Sequence, residues 1–600
     1  MGSERASKRR QFEQGRWSLA DLLPTTSGSE FDQRLDDLEA RVVELESRRE
    51  RLSSDISEED FGALMGLYES ITEHIYRLYG YARLQFSADT QSQEALGFLG
   101  QMEQLYTDIQ NRVLFFSLWW KGLPDADASR LMASSGDWRY YLESLRRFKP
   151  YTLTEPEEKI INLKNVNGVD ALTTLYDMIT NRYVFGLDID GEAHKLTRAE
   201  LARFIQGSRP DLREAAYREL NRVFANDGNV LGQIYIHCVR DWRSENLDLR
   251  RYRSPITVRN MYNDIPDSVI DTLLDVCRRN TGIFQRYFRL KASWLGLEKL
   301  RRFDLYAPLT AADKTFSYSW AMSTVLDSLD GFSPLLADHA ERVATSSHID
   351  SEVRPGKESG AFCYSAVPGL APWVLLNYTG KVRDVATLAH ELGHAIHALV
   401  AAEHSIFTFH STLPLAETAS VFSEMLLTER LLTQEEDPNV RRNLLASMVD
   451  DAYVTVMRQA FFVLFERRAH RLVSEGKTTD DLRRVYFENL TEQFGDAVEV
   501  DDMFQWEWVS IPHIYVTPFY CYAYSFGQLL VLALYQRYKE EGKTFVPAYL
   551  KLLAYGGSAS PGFLLSEVGV DMNSAEFWQG GFDVISGMID RLVASDVVQW

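Results

Sequence analysis

The chain is poor in the residues that staple a fold or hold a metal cluster. Its four cysteines, Cys238, Cys277, Cys363 and Cys521, lie far apart and form no CxxC pair, which excludes a zinc ribbon and a disulfide framework. Reduced, buried thiols in a cytosolic protein are the expected state. Long apolar runs are missing too: no stretch reaches the roughly 18 consecutive apolar residues that span a bilayer. The opening MGSERASKRRQFEQGR is basic and polar, without the apolar centre of a signal peptide. Positive charge is in deficit, with 64 Lys and Arg against 85 Asp and Glu and a formal charge of -21, so a phosphate backbone would meet repulsion over most of the surface. Nucleic acid and membrane are therefore excluded as partners, and a peptide or small molecule is expected. No internal repeat or low-complexity segment is present, which removes solenoid readings.

What remains is an ordinary globular composition, 45% hydrophobic and 25% charged over 600 residues. Residues 1–16 read as a flexible basic arm. From Trp17 the pattern is helical: between Phe31 and Leu52, apolar residues at Leu35, Leu38, Val42 and Leu45 recur every three or four positions among charges. Long periodic segments follow at Ser57 to Leu84 and Ser92 to Trp120. Tyr183 to Leu196 breaks the period, and Asp190-Gly191 between two short strand-like pieces predicts a β-hairpin. Residues 17–196 are read as an N-terminal helical lobe ending in that hairpin, and 197–600 as a catalytic domain. Between Arg354 and Gly380, glycine, proline and β-formers predict short strands and turns, either a sheet that pairs with an extended peptide or one that caps the core. Gly360 and Ala361 are the candidate substrate contacts there.

The stretch Thr387 to Leu399, TLAHELGHAIHAL, carries the chemistry. Residues four apart on a helix lie nearly one above the other, so His390 and His394 can offer two imidazole nitrogens to one ion, with Glu391 beside them as a proton acceptor for water. A helix with incidental histidines is the plain alternative. A catalytic zinc takes three protein ligands, so one more is needed. His397 lies a further turn along, and His404 and His410 fall in the exit loop. Glu417, in PLAETASVFSEMLLTERLL, is the better candidate, on a second amphipathic helix beginning after Pro414. Glu424, seven residues on, is placed to accept the free N–H of a ligating imidazole.

Hydrolysis also needs donors for a developing oxyanion. Pro512 to Phe526, PHIYVTPFYCYAYSF, concentrates His513 with Tyr515, Tyr520, Tyr522 and Tyr524. The alternation leaves strand and helix open, and each tyrosine has the equal alternative of a core aromatic with a bonded hydroxyl.

Together, HELGH, PLAETASVFSE and PHIYVTPFYCYAY resemble the oligoendopeptidase F branch of the thimet oligopeptidase group of zinc metallopeptidases, as do RPGKESGAFC, VLLNYTGKVRDVATLAHELGHAIH and the early WSLADLLP. The resemblance implies a mostly α, two-lobed helical enzyme with a deep channel and a small β-sheet beside the HExxH helix, acting as an endopeptidase on short unstructured peptides. It further implies one zinc held by His390, His394 and Glu417, Glu391 as general base and later acid, His513 and Tyr522 at substrate and oxyanion, and Tyr515 and Tyr520 as neighbours. A peptidyl-dipeptidase and a non-catalytic peptide-binding scaffold with a structural metal are the rivals.

Overall fold

The structure is a computed structural model and describes residues 11–309 and 315–597. With 71% of residues in helices and only small sheets, the observed class is the mostly-α one expected. Among the described residues, no helix is long and apolar enough to cross a membrane. All four cysteines are free thiols.

Packing divides the chain into two compact units. The first consists of residues 1–149, 313–433 and 537–570; the second of 150–312, 434–536 and 571–600. The position after Leu196, expected as a boundary, falls inside the second of these units. Contacts distant in sequence decide the division, and the hairpin Phe185–Ile189/Glu192–Leu196 belongs to the second unit. Its register pairs Ile189 with Glu192, leaving Asp190 and Gly191 as the turn, both at positive φ (55° and 90°). That is the conformation the dipeptide favours.

In the first unit, Ser29–Ser47, Glu58–Ala88 and Gln93–Gly122 are helices. Of the apolar stripe read from the sequence, Leu38, Val42 and Leu45 are buried and Leu35 partly so; together with Phe31 they pack into a core with Phe61, Phe116 and Trp120. Ser57 and Ser92 cap the second and third helices by accepting the backbone N–H of Asp60 and Ala95, satisfying donors that the first turn leaves unpaired. Residues 1–10 of the expected arm lie outside the described residues. Of the rest, Gln14 donates to the carbonyls of Ser351 and Tyr378, and Ser351 N–H donates to the Gly15 carbonyl.

The strands expected between Arg354 and Gly380 form a three-stranded sheet with Ile349–Asp350. Trp373–Leu375 lies in the middle, parallel to Ile349–Asp350 and antiparallel to Phe362–Tyr364. Fully buried Asp350 anchors it, paired with fully buried Lys357 at 2.8 Å and with Arg354 at 2.6 Å. Lys357 also donates to the carbonyls of Asp350 and Glu352. Burial pulls the Lys357 pKa down and Asp350 opposes that. Asp350→Asn leaves this ammonium without its counter-charge in the interior, so an unfolding free energy lower by about 3–5 kcal/mol is expected from urea denaturation.

Directly after the sheet comes the helix that carries HELGH, Val382–Val400, the candidate metal helix. Its start is fixed by Asp384, whose Oδ2 accepts the backbone N–H of Thr379 at 2.7 Å and of Lys381 at 3.1 Å. Val385, Leu388, Leu392, Ile396 and Leu399 bury one face. The loop that leaves the helix is tied to the N-terminal helices by Asp137, which receives His404 Nδ1 at 2.7 Å and Thr408 Oγ1 at 2.6 Å.

Candidate metal centre

His390 and His394 project from successive turns of the metal helix, and their Nε2 atoms are 3.2 Å apart. Glu417 Oε2 lies 3.4 Å from His390 Nε2 and 3.5 Å from His394 Nε2. Four ligands around an ion at about 2.0–2.1 Å form a tetrahedron with edges of about 3.3–3.4 Å. The three atoms therefore already outline one face of a zinc-sized tetrahedron, and the donor set, two imidazoles and a carboxylate, suits that ion. Among the described residues, these are the one group of three such side chains whose ligand atoms all lie within 4.8 Å of one another.

Local structure explains how Glu417 reaches the histidines. The continuous second helix expected after Pro414 is broken: Leu413–Ala416 forms one short turn, Glu417 follows at φ -82°, and the helix resumes at Ser420–Gln434. The break drops Glu417 toward the metal helix, and Ser420 Oγ donates to its Oε2 at 2.6 Å. Close approach requires Gly393. A Cβ at that position would stand 2.5 Å from Ser420 Cα and 2.6 Å from the Ala419 carbonyl oxygen. Neither Ser420 nor Gly393 was singled out in the sequence; a glycine inside HExxH next to a Ser-rich helix start was the available signal.

Glu424, on the resumed helix, hydrogen-bonds His390 Nδ1. With Nδ1 engaged by the carboxylate, Nε2 is the ring nitrogen that faces the centre. Burial pulls His390 down, but the hydrogen bond to Glu424 and the charges of Glu424, Glu417 and Glu391 outweigh it and place the pKa at about 9. Glu391 is 6% exposed, and burial pushes its carboxyl up to about 7, with His390 opposing.

The centre opens into a cavity of about 380 Å³. Its walls include Ala361, Phe362 and Cys363, so the edge strand of the sheet borders His390 and His394. Gly360 stands just before, at φ +87°, its carbonyl accepting Asn377 Nδ2. His397 and His410, set aside as ligands, line the same cavity.

Residues 204–584 match the sequence pattern of peptidase family M3, and residues 119–185 match that described as oligopeptidase F. The chain belongs to peptidase family M3. Among its relatives, an oligoendopeptidase F homolog of Borreliella burgdorferi is 27% identical, covering 93% of this chain and 94% of its own. Oligopeptidase PepF of Bacillus subtilis is 26% identical, covering 96% and 86%. The fold is shared with oligoendopeptidase-F from Enterococcus faecium, at a TM-score of 0.72 and 23% identity over 95% of this chain and 100% of the other. This M3 chain is thus a metallopeptidase.

The His/Tyr stretch of the M3 chain belongs to the second unit. Helices His513–Val516 and Tyr522–Glu541 flank a turn in which Phe519 takes a positive φ of 59°. Tyr522 is 0% exposed and its hydroxyl accepts Asn263 Nδ2 at 2.8 Å. Tyr515 is also core, stacked on Tyr176 at 4.1 Å with its hydroxyl directed at the Leu231 carbonyl. The half-buried side chains are His513, Tyr520 and Tyr524: the imidazole lies parallel to Tyr520 at 6.1 Å, and Tyr524 meets Tyr520 edge-on at 5.1 Å.

Under this turn lies Glu466, fully buried. Its Oε1 accepts Phe519 N–H at 2.8 Å, while its Oε2 has no hydrogen-bond partner among the described residues. Burial raises its pKa from 4.5 to about 8, against the opposing Phe519 N–H and Arg259. Because the folded-state value lies above the unfolded one, the folded state holds the extra proton between those two pH values. Stability from this group is therefore full below pH 4.5 and is lost as pH rises toward 8, at roughly 1 kcal/mol per pH unit. Glu466→Gln is expected to flatten the fall in Tm over that window relative to the parent protein, measured by calorimetry.

Proposed function

We propose that the protein is a cytoplasmic zinc endopeptidase, with one ion per chain, that cleaves internal bonds of short unstructured oligopeptides. The observation that carries this reading is the 3.2–3.5 Å triangle of His390, His394 and Glu417 with Glu391 beside it. Three ligands leave a position for substrate or solvent, whereas structural zinc is normally closed by four, which disfavours the scaffold reading. The names of the relatives, oligoendopeptidase F and oligopeptidase PepF, support the substrate class. Free thiols support a reducing compartment.

When bound, zinc supplies Lewis-acid polarisation of a carbonyl and of a water at neutral pH. The protein does the rest. Glu391 takes the proton of the attacking water and returns it to the leaving amine. Glu424 holds His390 in one tautomer, and Ser420 orients the Glu417 oxygen. Among the described residues, the strand Phe362–Tyr364 has a neighbour on one side only, so its outer edge and Ala361 offer backbone groups to an extended peptide. The roles given to His513 and Tyr522 are best divided: His513, Tyr520 and Tyr524 present groups to substrate, and Tyr522 holds the turn through Asn263.

Digestion of peptides of graded length, with free and amidated carboxyl ends, tests this by mass spectrometry of the products. Internal cleavage that ignores amidation, stops with chelator and returns with zinc is expected. Products that depend on a free carboxyl end identify a peptidyl-dipeptidase instead, and folded proteins should survive intact.

A further inference from the structure

A second cavity, of about 400 Å³, lies wholly within the second unit and away from its tyrosine pair in composition: it is lined by arginines. Arg243 closes the helix Gly228–Arg243, Arg253 precedes the helix Pro255–Asn263, and Arg467 and Arg471 lie one turn apart on Gln459–Ser474. Against these four stand two lining carboxylates, and both are already engaged. Asp267 receives Arg253, Thr257 Oγ1 at 2.8 Å and Asn260 Nδ2 at 2.7 Å, and Asp271 receives Arg467 at 2.6 Å. Arg243 has no ion-pair partner among the described residues, and Arg471 has only Glu475 at 3.9 Å. The cavity is thus electropositive in a chain whose formal charge is -21.

At its inner wall sits His470, 1% exposed, and neither of its ring nitrogens has a hydrogen-bond partner among the described residues. Buried imidazole nitrogens without partners are costly, and in folded proteins such groups are normally met by solvent or ligand. Burial and the Arg243 charge hold this ring neutral, with a pKa of about 3. It therefore offers one donor and one acceptor, not a charge. The remaining wall is apolar: Pro255, Ile256 and the Phe519 ring, which packs on His470 at 4.6 Å.

We infer that this cavity is a binding site for a small phosphate-bearing molecule, its phosphate taken by Arg243 and Arg471, a polar group by His470, and its carbon part by Pro255, Ile256 and Phe519. Guanidinium forks match phosphate oxygens two at a time, and the volume suits a compact metabolite, not a chain of macromolecular size. Phe519 immediately precedes Tyr520, so the occupant touches the turn on which the tyrosine pair stands.

Calorimetric titration of the full-length protein with inorganic pyrophosphate, with a sugar monophosphate and with citrate tests the assignment. Both phosphates are expected to bind with Kd below about 1 mM at low ionic strength, and the double change Arg243→Gln, Arg471→Gln to weaken them at least about tenfold. Both positions are partly exposed, so the fold is checked by an unchanged far-UV spectrum and Tm. Ser474→Glu, which adds a negative charge at the exposed rim and removes no packing, should act the same way. The His470 ring resonances should shift on pyrophosphate addition. Absence of phosphate binding, binding of citrate alone, or phosphate affinity indifferent to both variants overturns the assignment. These readouts need no peptidase activity, so they stand or fall separately from the proposed cleavage reaction.

Discussion

Glu391→Gln is expected to bind metal and peptide as the parent does and to lose turnover by about 10²–10⁴-fold, the usual contribution of a positioned acid–base group. The amide matches the carboxylate in shape, and Glu391 is not among the three side chains whose ligand atoms converge. What the change removes is the ability to accept a proton from water and hand it to an amine. The comparison that decides is kcat against KM on a defined peptide, together with zinc content by elemental analysis. A variant with parental zinc and KM but little left of kcat places the proton transfer on Glu391. Parental kcat would move it elsewhere, and loss of zinc would make Glu391 part of the metal-holding framework.

Gly393→Ala is expected to lower zinc affinity by at least about 100-fold, although no ligand is touched. The added methyl would need to occupy space 2.5 Å from Ser420 Cα and 2.6 Å from the Ala419 carbonyl oxygen. Backbone cannot yield as a side-chain tip can, so the metal helix and the Glu417 segment must part. Ligand atoms need placement within about 0.5 Å, and losing even a supporting contact costs about 10–100-fold in affinity. Overpacking alone costs about 1–3 kcal/mol, so thermal unfolding of the metal-free variant separates a general loss of stability from a specific loss of metal. Competition against a chromophoric chelator gives the affinity. Unchanged affinity would mean that Glu417 reaches the ion by a movement this packing does not suggest.

These two residues mark where the sequence was readable. HELGH is legible because its geometry is local: four residues of helix fix the two imidazoles without help from the rest of the chain. Glu417 and Glu424 were within reach because they follow soon after and sit among apolar residues that force burial. The break at Glu417 was not readable, since it depends on how closely Gly393 lets two backbones approach. Nor was the phase of the helix Tyr522–Glu541. Because it begins at Tyr522, Tyr520 and Tyr524 come to one partly open side, edge to face, while Tyr522 turns inward to Asn263. An alternating pattern in the sequence cannot distinguish these. The division into units was hidden for a similar reason. The N-terminal helices look like a lobe of their own until Asp137 and the docking of residues 11–16 connect them to segments hundreds of positions later.

The first unit is assembled from three stretches of chain interrupted by two stretches of the second. During synthesis, Leu84 emerges long before Ala366 and Trp373, with which it shares a buried cluster. At about 5–20 residues per second, that interval is on the order of tens of seconds, and the nascent N-terminal helices spend it with Leu22 and Leu84 uncovered. Holding factors on the ribosome thus have a defined client window, whereas a denatured full-length chain released into buffer has every strand and helix of the unit available from the start.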